Sequence, residues 1–371
     1  MRIGIDARAA KWVGDRGVGK YTNKIIENLK YIDHDNNYLL FYHRSDMSDM
    51  FRSEEQDRLY PGKGFWKTMH NTQWGNLPDV DIFHNTINGF GIPTGGNHKL
   101  VITIHDLNPF GMLETSQENN FDHVLNSTSE AIEKADRIIT MSHHAKKKVK
   151  RYFNLPDRKI NVIYHGVDEI FKPMDKGVAF HHLSKKYQIH DKFILNFGGF
   201  GPRNNIPRLI RAFKMICNEF PDGLKLIIIG NPEDSHENLI KLTKKLSMEE
   251  HIIFPGTLSS DDLLLFYNAC EAFVYPSLYE GAVSALLEAS ACGVPIIASR
   301  VSTVAEIMGD SCTYVNPYSI VDIAQGIYDT LINKELSQDL LIKGLSNNRL
   351  FSWEKAAKET IEVYKEVMQQ K

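Results

Sequence analysis

The stretch Tyr275-Pro276-Ser277-Leu278-Tyr279-Glu280-Gly281-Ala282-Val283-Ser284-Ala285-Leu286-Leu287-Glu288-Ala289 decides how this chain is read. The apolar run AFVY (272–275) reads as a strand, Pro276-Ser277 as a turn, and the small residues from Gly281 onward as the opening of a helix. A second apolar run, Pro295–Ala298, follows, so the segment has the pattern of one βαβ unit in a parallel sheet. A helix that opens on small residues presents free N–H groups and the positive end of its dipole, which suits an anion. Glu280 stands at the mouth of that helix and Glu288 eight positions later, up to roughly 12 Å apart along a helix axis. A retaining glycosidase pair needs about 5 Å, and the inverting range is also shorter than this separation. The spacing does suit two hydroxyl-bearing rings joined by a diphosphate, one ring to each carboxylate. The same two residues also fit a first-turn Glu favouring the dipole and a solvent-facing Glu.

Outward from this segment, short apolar runs alternate with helical patterns along all 371 residues. Strands are expected at Ile3–Ile5, Tyr38–Tyr42, Ile82–His84, Leu100–Ile104, Arg137–Met141 and Asn161–Tyr164, with helices including Gly19–Lys30, Glu118–Lys134 and His143–Phe153. The pattern restarts at Phe193–Phe197 and continues through Lys225–Ile229, Ile252–Phe254, Ala272–Tyr275, Pro295–Ala298 and Thr313–Val315. Gly166–Asp191, polar and irregular, reads as the linker. The fold class expected is α/β, two doubly wound Rossmann-like domains facing across a cleft, since open α/β sheets bind ligands at their strand C-termini. The domains are placed at 1–170 and 171–352.

Hydrophobic content of 42%, charged content of 24% and a net charge of −3 describe an ordinary globular chain, with no global argument for nucleic acid or another polyanion. Charge is concentrated in Ala145–Lys159, where Lys146, Lys147, Lys148, Lys150, Arg151, Arg158 and Lys159 stand against the single Asp157. Such a face is either solvated or rests on anionic lipid or an anionic acceptor. Cys217, Cys270, Cys292 and Cys312 have no metal-ligand spacing and read as buried free thiols of a reducing cytosol. Met1 runs directly into a strand, leaving no room for a signal peptide, and no apolar run approaches the ~18–20 residues of a membrane span. The expectation is a cytoplasmic protein, with any membrane contact peripheral, at the inner face through 145–159.

The YPSLYEG and LLEASACGVPIIAS runs together resemble the donor signature of retaining glycosyltransferases of family 4, the two-domain GT-B enzymes, in which F/Y-P-S-x-x-E-G precedes L-E-A-x-A-x-G-x-P. Gly14–Tyr21 is similar to the family's glycine-rich loop, Thr103–Leu107 to its His-bearing loop, and Tyr164–Asp168 with Phe171-Lys172-Pro173 to its domain-crossing segment. Phe351-Ser352-Trp353 opens a final helix, about 353–371, that in similar proteins returns to the first domain. The resemblance implies hexosyl transfer, with retention, from a nucleotide diphosphate sugar (GDP-mannose-like or a UDP-sugar) to a hydroxyl of a glycan or lipid-linked acceptor, without metal or cofactor. Carried over by position, Glu280 would bind the donor hexose, with Gly281, Ala282 and Val283 beside sugar and phosphates. Glu288 would hold the ribose hydroxyls. His105 would lie over the donor sugar near the reacting carbon, and Gly17 and Gly19 would let backbone amides approach the diphosphate or the acceptor. The pattern is not G-x-G-x-x-G, so nicotinamide binding is poorly supported. Asp79-Val80-Asp81 precedes a strand like a solvated edge rather than a metal motif, and His143-His144 and His181-His182 lack further ligands.

The chain departs from the family at the loop after the first strand of its second half, Asn196–Asn205. Gly199 stands where an Arg is expected and Asn204 where a Lys is expected, the two cations that clamp the diphosphate; Arg203 and Asn204 remain the donor-side candidates there. A charge-assisted hydrogen bond contributes about 1.5–3 kcal/mol, against about 0.3–1 kcal/mol for a helix dipole. One helix N-terminus cannot replace two cations. Either Arg203, Arg208, Arg300 or Arg16 substitutes, or the donor mode differs, or the chain is a non-catalytic nucleotide-sugar-binding subunit. An epimerase or phosphorylase of similar shape fits the glutamate spacing less well.

Overall fold

A computed structural model describes residues 1–12, 17–42, 66–70, 79–93, 95–107, 121–230, 236–281 and 283–369. The chain forms two compact units, Met1–Gly166 with Ser352–Lys371, and Val167–Phe351.

The first unit is built on strands β1 (Arg2–Asp6), β2 (Asn37–Tyr42), β3 (Trp66–His70), β4 (Ile82–Asn85), β5 (Lys99–Ile104), β6 (Arg137–Thr140) and β7 (Ile160–Val162). They lie side by side in the order β3-β2-β1-β4-β5-β6-β7, every pair parallel. Alternation along β2 shows why both faces are covered: Tyr38 and Leu40 enter one apolar cluster, Leu39 and Phe41 the other. The first cluster also takes Tyr21, Ile25 and Leu29 of the helix Gly17–Ile32 and Trp353, Ala356, Ala357, Val363, Tyr364 and Val367 of the helix Trp353–Gln369. The last helix of the chain is thus part of the first unit's core.

The second unit repeats the plan with β8 (Phe193–Phe197), β9 (Lys225–Ile229), β10 (Ile252–Ile253), β11 (Ala272–Tyr275), β12 (Ile296–Ser299) and β13 (Thr313–Val315). Their order is β10-β9-β8-β11-β12-β13, all parallel, which is the Rossmann order 3-2-1-4-5-6. Strand order reverses between β1 and β4 in one unit and between β8 and β11 in the other. Crevices form at those reversals, outside the strand C-termini.

Several expected elements differ. Gly166–Asp191 is not irregular throughout: the helix Lys176–Tyr187 occupies it, capped by the Asp175 carboxylate accepting from Val178 N at 2.9 Å, with Ala179 and Leu183 buried. A short helix, Arg8–Trp12, follows β1, and the helix expected at Gly19 opens at Gly17, two residues earlier. β7 ends at Val162 rather than Tyr164, and the strand at Trp66–His70 had not been anticipated. Among the described residues no helix is long and apolar enough to cross a membrane.

Candidate active site

In the second unit, the loops after β8 and β11 meet at the strand-order reversal. Gly198 and Gly199 end β8 at φ of +153° and +106°, conformations that disfavour side chains. Gly230, after β9, lies beneath them: a Cβ there would stand 3.0 Å from Gly199 Cα and 2.7 Å from the Phe200 ring. Phe200 is buried and stacks on His236, which anchors the loop. Pro202–Asn204 then forms one 3₁₀ turn, and Asn205 takes the left-handed conformation at φ 61°. The Asn205 amide nitrogen donates to Pro276 O at 2.9 Å and Pro317 O at 2.7 Å, while Leu278 N donates to Arg203 O at 2.8 Å. These bonds bracket residue 204 and hold the two loops together.

Glu280 is 2% exposed. The Tyr275 hydroxyl hydrogen-bonds its carboxylate, and the Arg203 guanidinium stands 3.8 Å from it. Burial first, and then the carboxylate, push the Tyr275 phenol well above its usual range, so it stays a proton donor. Two expectations change here. The helix opens at Ser284 rather than near Gly281, with Val283 at its N-cap, so Glu280 lies in the preceding loop and the axial-rise distance does not apply. Glu288 is in the helix Ser284–Ala291 but is buried, 5% exposed, with Tyr267 donating to its Oε2 over 3.4 Å. It is not a solvent-facing side chain. Gly281 and Val283 are buried beside them, and Thr303 donates to Gly281 O at 3.3 Å. Ala282 lies outside the described residues.

Asn204 is buried under the glycines. Its Oδ1 lies 3.4 Å from where a Cβ of Gly198 would stand, and its Nδ2 3.6 Å from that of Gly199. Of the candidate substitute cations, Arg208 donates to Asn205 Oδ1 at 2.9 Å and lies over the Tyr318 ring, and Arg300 lies over the Tyr314 ring. Arg16, with Gly14 and Asp15, is outside the described residues.

In the first unit, Gly17 opens its helix at φ +48° and Gly19 is buried in the first turn, so the glycine pair belongs to a helix N-terminus rather than a free loop. First-turn N–H groups have no partner within a helix. This helix end is tied to the reversal between β1 and β4 by Thr22, which donates to Thr86 Oγ1, and by Thr86, which donates to Asp6 O. His105 follows β5. Its Nε2 meets Thr86 O at 2.9 Å; because a carbonyl only accepts, Nε2 carries the proton and Nδ1 keeps the lone pair. Burial lowers its pKa to about 4, so the ring is neutral at pH 7. His105 can accept a hydrogen bond but supplies no positive charge there.

Sequence reasoning passed over the buried Asp6–Arg8 pair. Arg8 bonds both carboxylate oxygens of Asp6 and donates to the carbonyls of Phe90 and Gly91, while Asn85 donates to Asp6. This cluster shapes the turn after β4. It also passed over Tyr275, which meets Glu280 within the β11 loop, and Asn205, whose role arises only when β8 and β11 are adjacent. Asp81 accepts from Arg2 N at 2.7 Å at a strand edge, and among the described residues no group of three or more His, Cys, Asp and Glu is placed to hold a metal.

Comparison with known proteins follows the same lines. The family profile "Glycosyl transferases group 1" matches residues 181–345, and "Glycosyltransferase Family 4" matches residues 49–170. O-antigen chain mannosyltransferase B of Escherichia coli is 28% identical over 267 residues, 72% of this chain and 70% of that protein. The serotype-specific mannosyltransferase WbdA of Escherichia coli is 29% identical over 276 residues, and the match spans about a third (34%) of its length. Among solved structures, sucrose-phosphate synthase from Thermosynechococcus elongatus superposes over the full length of both chains with a TM-score of 0.80 at 18% identity. Anabaena Alr3699/HepE in complex with UDP and glucose does so with a TM-score of 0.74 at 15% identity, over 99% of this chain and 100% of that one. Both likenesses are of fold, and the fold is GT-B.

Proposed function

We propose that this chain, which belongs to the family 4 and group 1 glycosyltransferases and is an enzyme of GT-B fold, transfers a hexosyl group with retention from a nucleotide diphosphate sugar to a hydroxyl of a glycan or lipid-linked acceptor, without a metal. The observation that carries this reading is the pair of buried carboxylates at the β8/β11 reversal. Burying a carboxylate is costly unless hydrogen bonds satisfy it. Glu280 and Glu288 are each kept there with a tyrosine hydroxyl as a partner. Sugar and ribose hydroxyls are the ligands such oxygens suit.

In this reading the second unit takes the donor: Glu280 the hexose, Glu288 the ribose, Gly281, Ala282 and Val283 the sugar and phosphates, and Arg203 and Asn204 the loop beside them. The first unit takes the acceptor, with Gly17 and Gly19 offering amides and the neutral His105 accepting a hydrogen bond from a sugar hydroxyl through Nδ1. The bond from the anomeric carbon to the phosphate oxygen breaks, the bond to the acceptor oxygen forms on the same face, and the acceptor proton goes to the leaving phosphate. The protein supplies alignment and charge neutralisation. The mannosyltransferase names of the curated relatives support mannose, hence GDP-mannose, as the first donor to try. The basic helix His143–Phe153 supports peripheral contact with an anionic membrane surface.

The test is a panel of UDP-, GDP-, dTDP- and ADP-sugars with purified protein, a lipid-linked or glycan acceptor, and release of nucleoside diphosphate as the readout. NMR of the product bond reads retention. Failure to bind any nucleoside diphosphate, or an inverted product, would remove the corresponding part of the proposal.

A further inference from the structure

We infer that Arg203 supplies the positive charge for the leaving diphosphate in this chain, in place of cations at 199 and 204, and that Glu280 holds it in position before the donor arrives. The inference rests on the donor-site reading above.

Position 199 is a glycine at φ +106°, and position 204 is an asparagine whose uncharged amide is spent filling the space under Gly198 and Gly199. Neither delivers charge. Arg208 and Arg300 have their guanidinium groups over tyrosine rings, and Arg208 also bonds Asn205. Arg203 differs in three ways. Its backbone is fixed on the β11 loop through Leu278 N, its side chain is 39% exposed, and its Nη1 is 3.8 Å from the buried Glu280 carboxylate. At that distance the pair is an ion contact rather than a tight bidentate hydrogen bond, which is 2.7–2.9 Å in charge-assisted cases. A guanidinium so placed can keep one edge toward Glu280 and turn its remaining N–H groups to a phosphate.

The buried Asn204 Oδ1 points the same way. It has no hydrogen-bond partner among the described residues, and it lies at the Gly198 backbone next to the Tyr275 ring. A buried unsatisfied acceptor costs stability unless something completes it. A sugar hydroxyl of a donor whose phosphates sit against Arg203 is a suitable donor of that hydrogen bond.

The experiment is calorimetric titration of wild-type, Arg203→Gln, Arg203→Lys, Arg208→Gln and Arg300→Gln proteins with GDP, UDP, GMP and UMP. For wild type, the diphosphate binds more tightly than the monophosphate of the preferred base. In Arg203→Gln that preference falls by about 10- to 100-fold, the size of one charge-assisted hydrogen bond. Monophosphate affinity stays within about threefold, which also reports that the variant is folded. Arg203→Lys restores part of the preference, and Arg208→Gln and Arg300→Gln retain it. An unchanged preference in Arg203→Gln, or its loss in Arg208→Gln or Arg300→Gln instead, overturns the inference while leaving the donor site intact. Wild-type protein that binds none of the four nucleotides overturns the donor-site reading itself, and the inference with it.

Discussion

The Nε2–H of His105 donates to the main-chain oxygen of Thr86 over 2.9 Å, and the imidazole packs edge-on against Tyr21 with ring centroids 4.7 Å apart. His165 stacks on the same tyrosine with its centroid 5.8 Å from that of His105, and His84 is bonded to Tyr364 and Thr103. Burial is the main cause that lowers all three: His84 and His165 to about 3, His105 to about 4. The first unit therefore carries three neutral imidazoles in its core.

Stability should fall on acidification for that reason. The unfolded chain takes up protons at these residues below its ordinary pKa of about 6.5, while the folded chain does not until about 3–4. Stability is thus full above pH 6.5 and is lost progressively as pH falls toward 4, by on the order of 2 kcal/mol per imidazole at pH 5. Calorimetric melting at pH 7, 6 and 5 checks this, with His165→Gln expected to flatten the slope. A melting temperature that rises toward pH 5 would count against it. Because His105 is neutral throughout, its titration should leave no limb in the pH–rate profile between pH 6 and 8.

How much of this was readable beforehand depended on whether the information was local. The parallel sheets were legible because β8, β9, β11 and β13 are short apolar runs at the positions expected. The helix Lys176–Tyr187 was not, since only Ala179 and Leu183 of its twelve residues are buried and His181, His182 and three lysines mask the period. Glu280 and Glu288 stood out through a motif, but their burial did not. It depends on Tyr275, five residues before Glu280 at the end of β11, and on Tyr267 of the helix Ser260–Ala269. Arg203 was one of several candidate arginines in the sequence, and what sets it apart is that Arg208 and Arg300 lie over the Tyr318 and Tyr314 rings, pairings that only the fold shows.

The two glutamates should separate kinetically. Glu280→Gln keeps the shape but removes the charge facing Arg203 and the developing positive sugar. Its kcat should drop by about 10²-fold, equivalent to ~3 kcal/mol of transition-state binding, and part of the preference for nucleoside diphosphate over monophosphate should go with it, because Arg203 loses the carboxylate that holds it. Glu288→Gln should instead raise the Kd for the nucleotide by about tenfold and spare kcat at saturating donor. Steady-state kinetics paired with titration distinguish them; Glu280→Gln with wild-type turnover would remove that residue from the mechanism.

Gly166 makes the fold of the first unit sensitive to a single methyl group. A Cβ there would stand 2.1 Å from Trp353 N and 2.5 Å from Ser352 C, both backbone atoms that cannot swing aside. Gly166→Ala must therefore displace the start of the last helix, whose Trp353, Ala357 and Tyr364 are buried in the core with Ile3 and Tyr21. The expected cost is about 3 kcal/mol, or a melting temperature lowered by roughly 6–12 °C. Gly256→Ala serves as the control: it has the strained φ of +80° but no atom within 4 Å, so it should cost only about 1 kcal/mol. Equal melting temperatures for the two variants would show that the close contact carries no energy.

The basic helix His143–Phe153 gives the last prediction. Ala145 and Val149 face inward, Lys146 and Lys150 both pair with Asp157, and Lys147, Arg151 and Arg158 are exposed, with Tyr152 half-exposed beside them. Asp157 thus offsets part of the charge, and Lys147, Arg151 and Arg158, exposed outside that cluster, contribute about 1 kcal/mol each near an anionic surface. That is enough for weak, salt-sensitive binding and too little for stable anchoring. Sedimentation with phosphatidylserine-containing vesicles at low salt should retain the protein, release it near physiological ionic strength, and lose it when Lys147, Arg151 and Arg158 are changed to Gln. Asp157→Asn should strengthen retention by unmasking Lys146 and Lys150. Equal partitioning to neutral and anionic vesicles would assign this face to solvent.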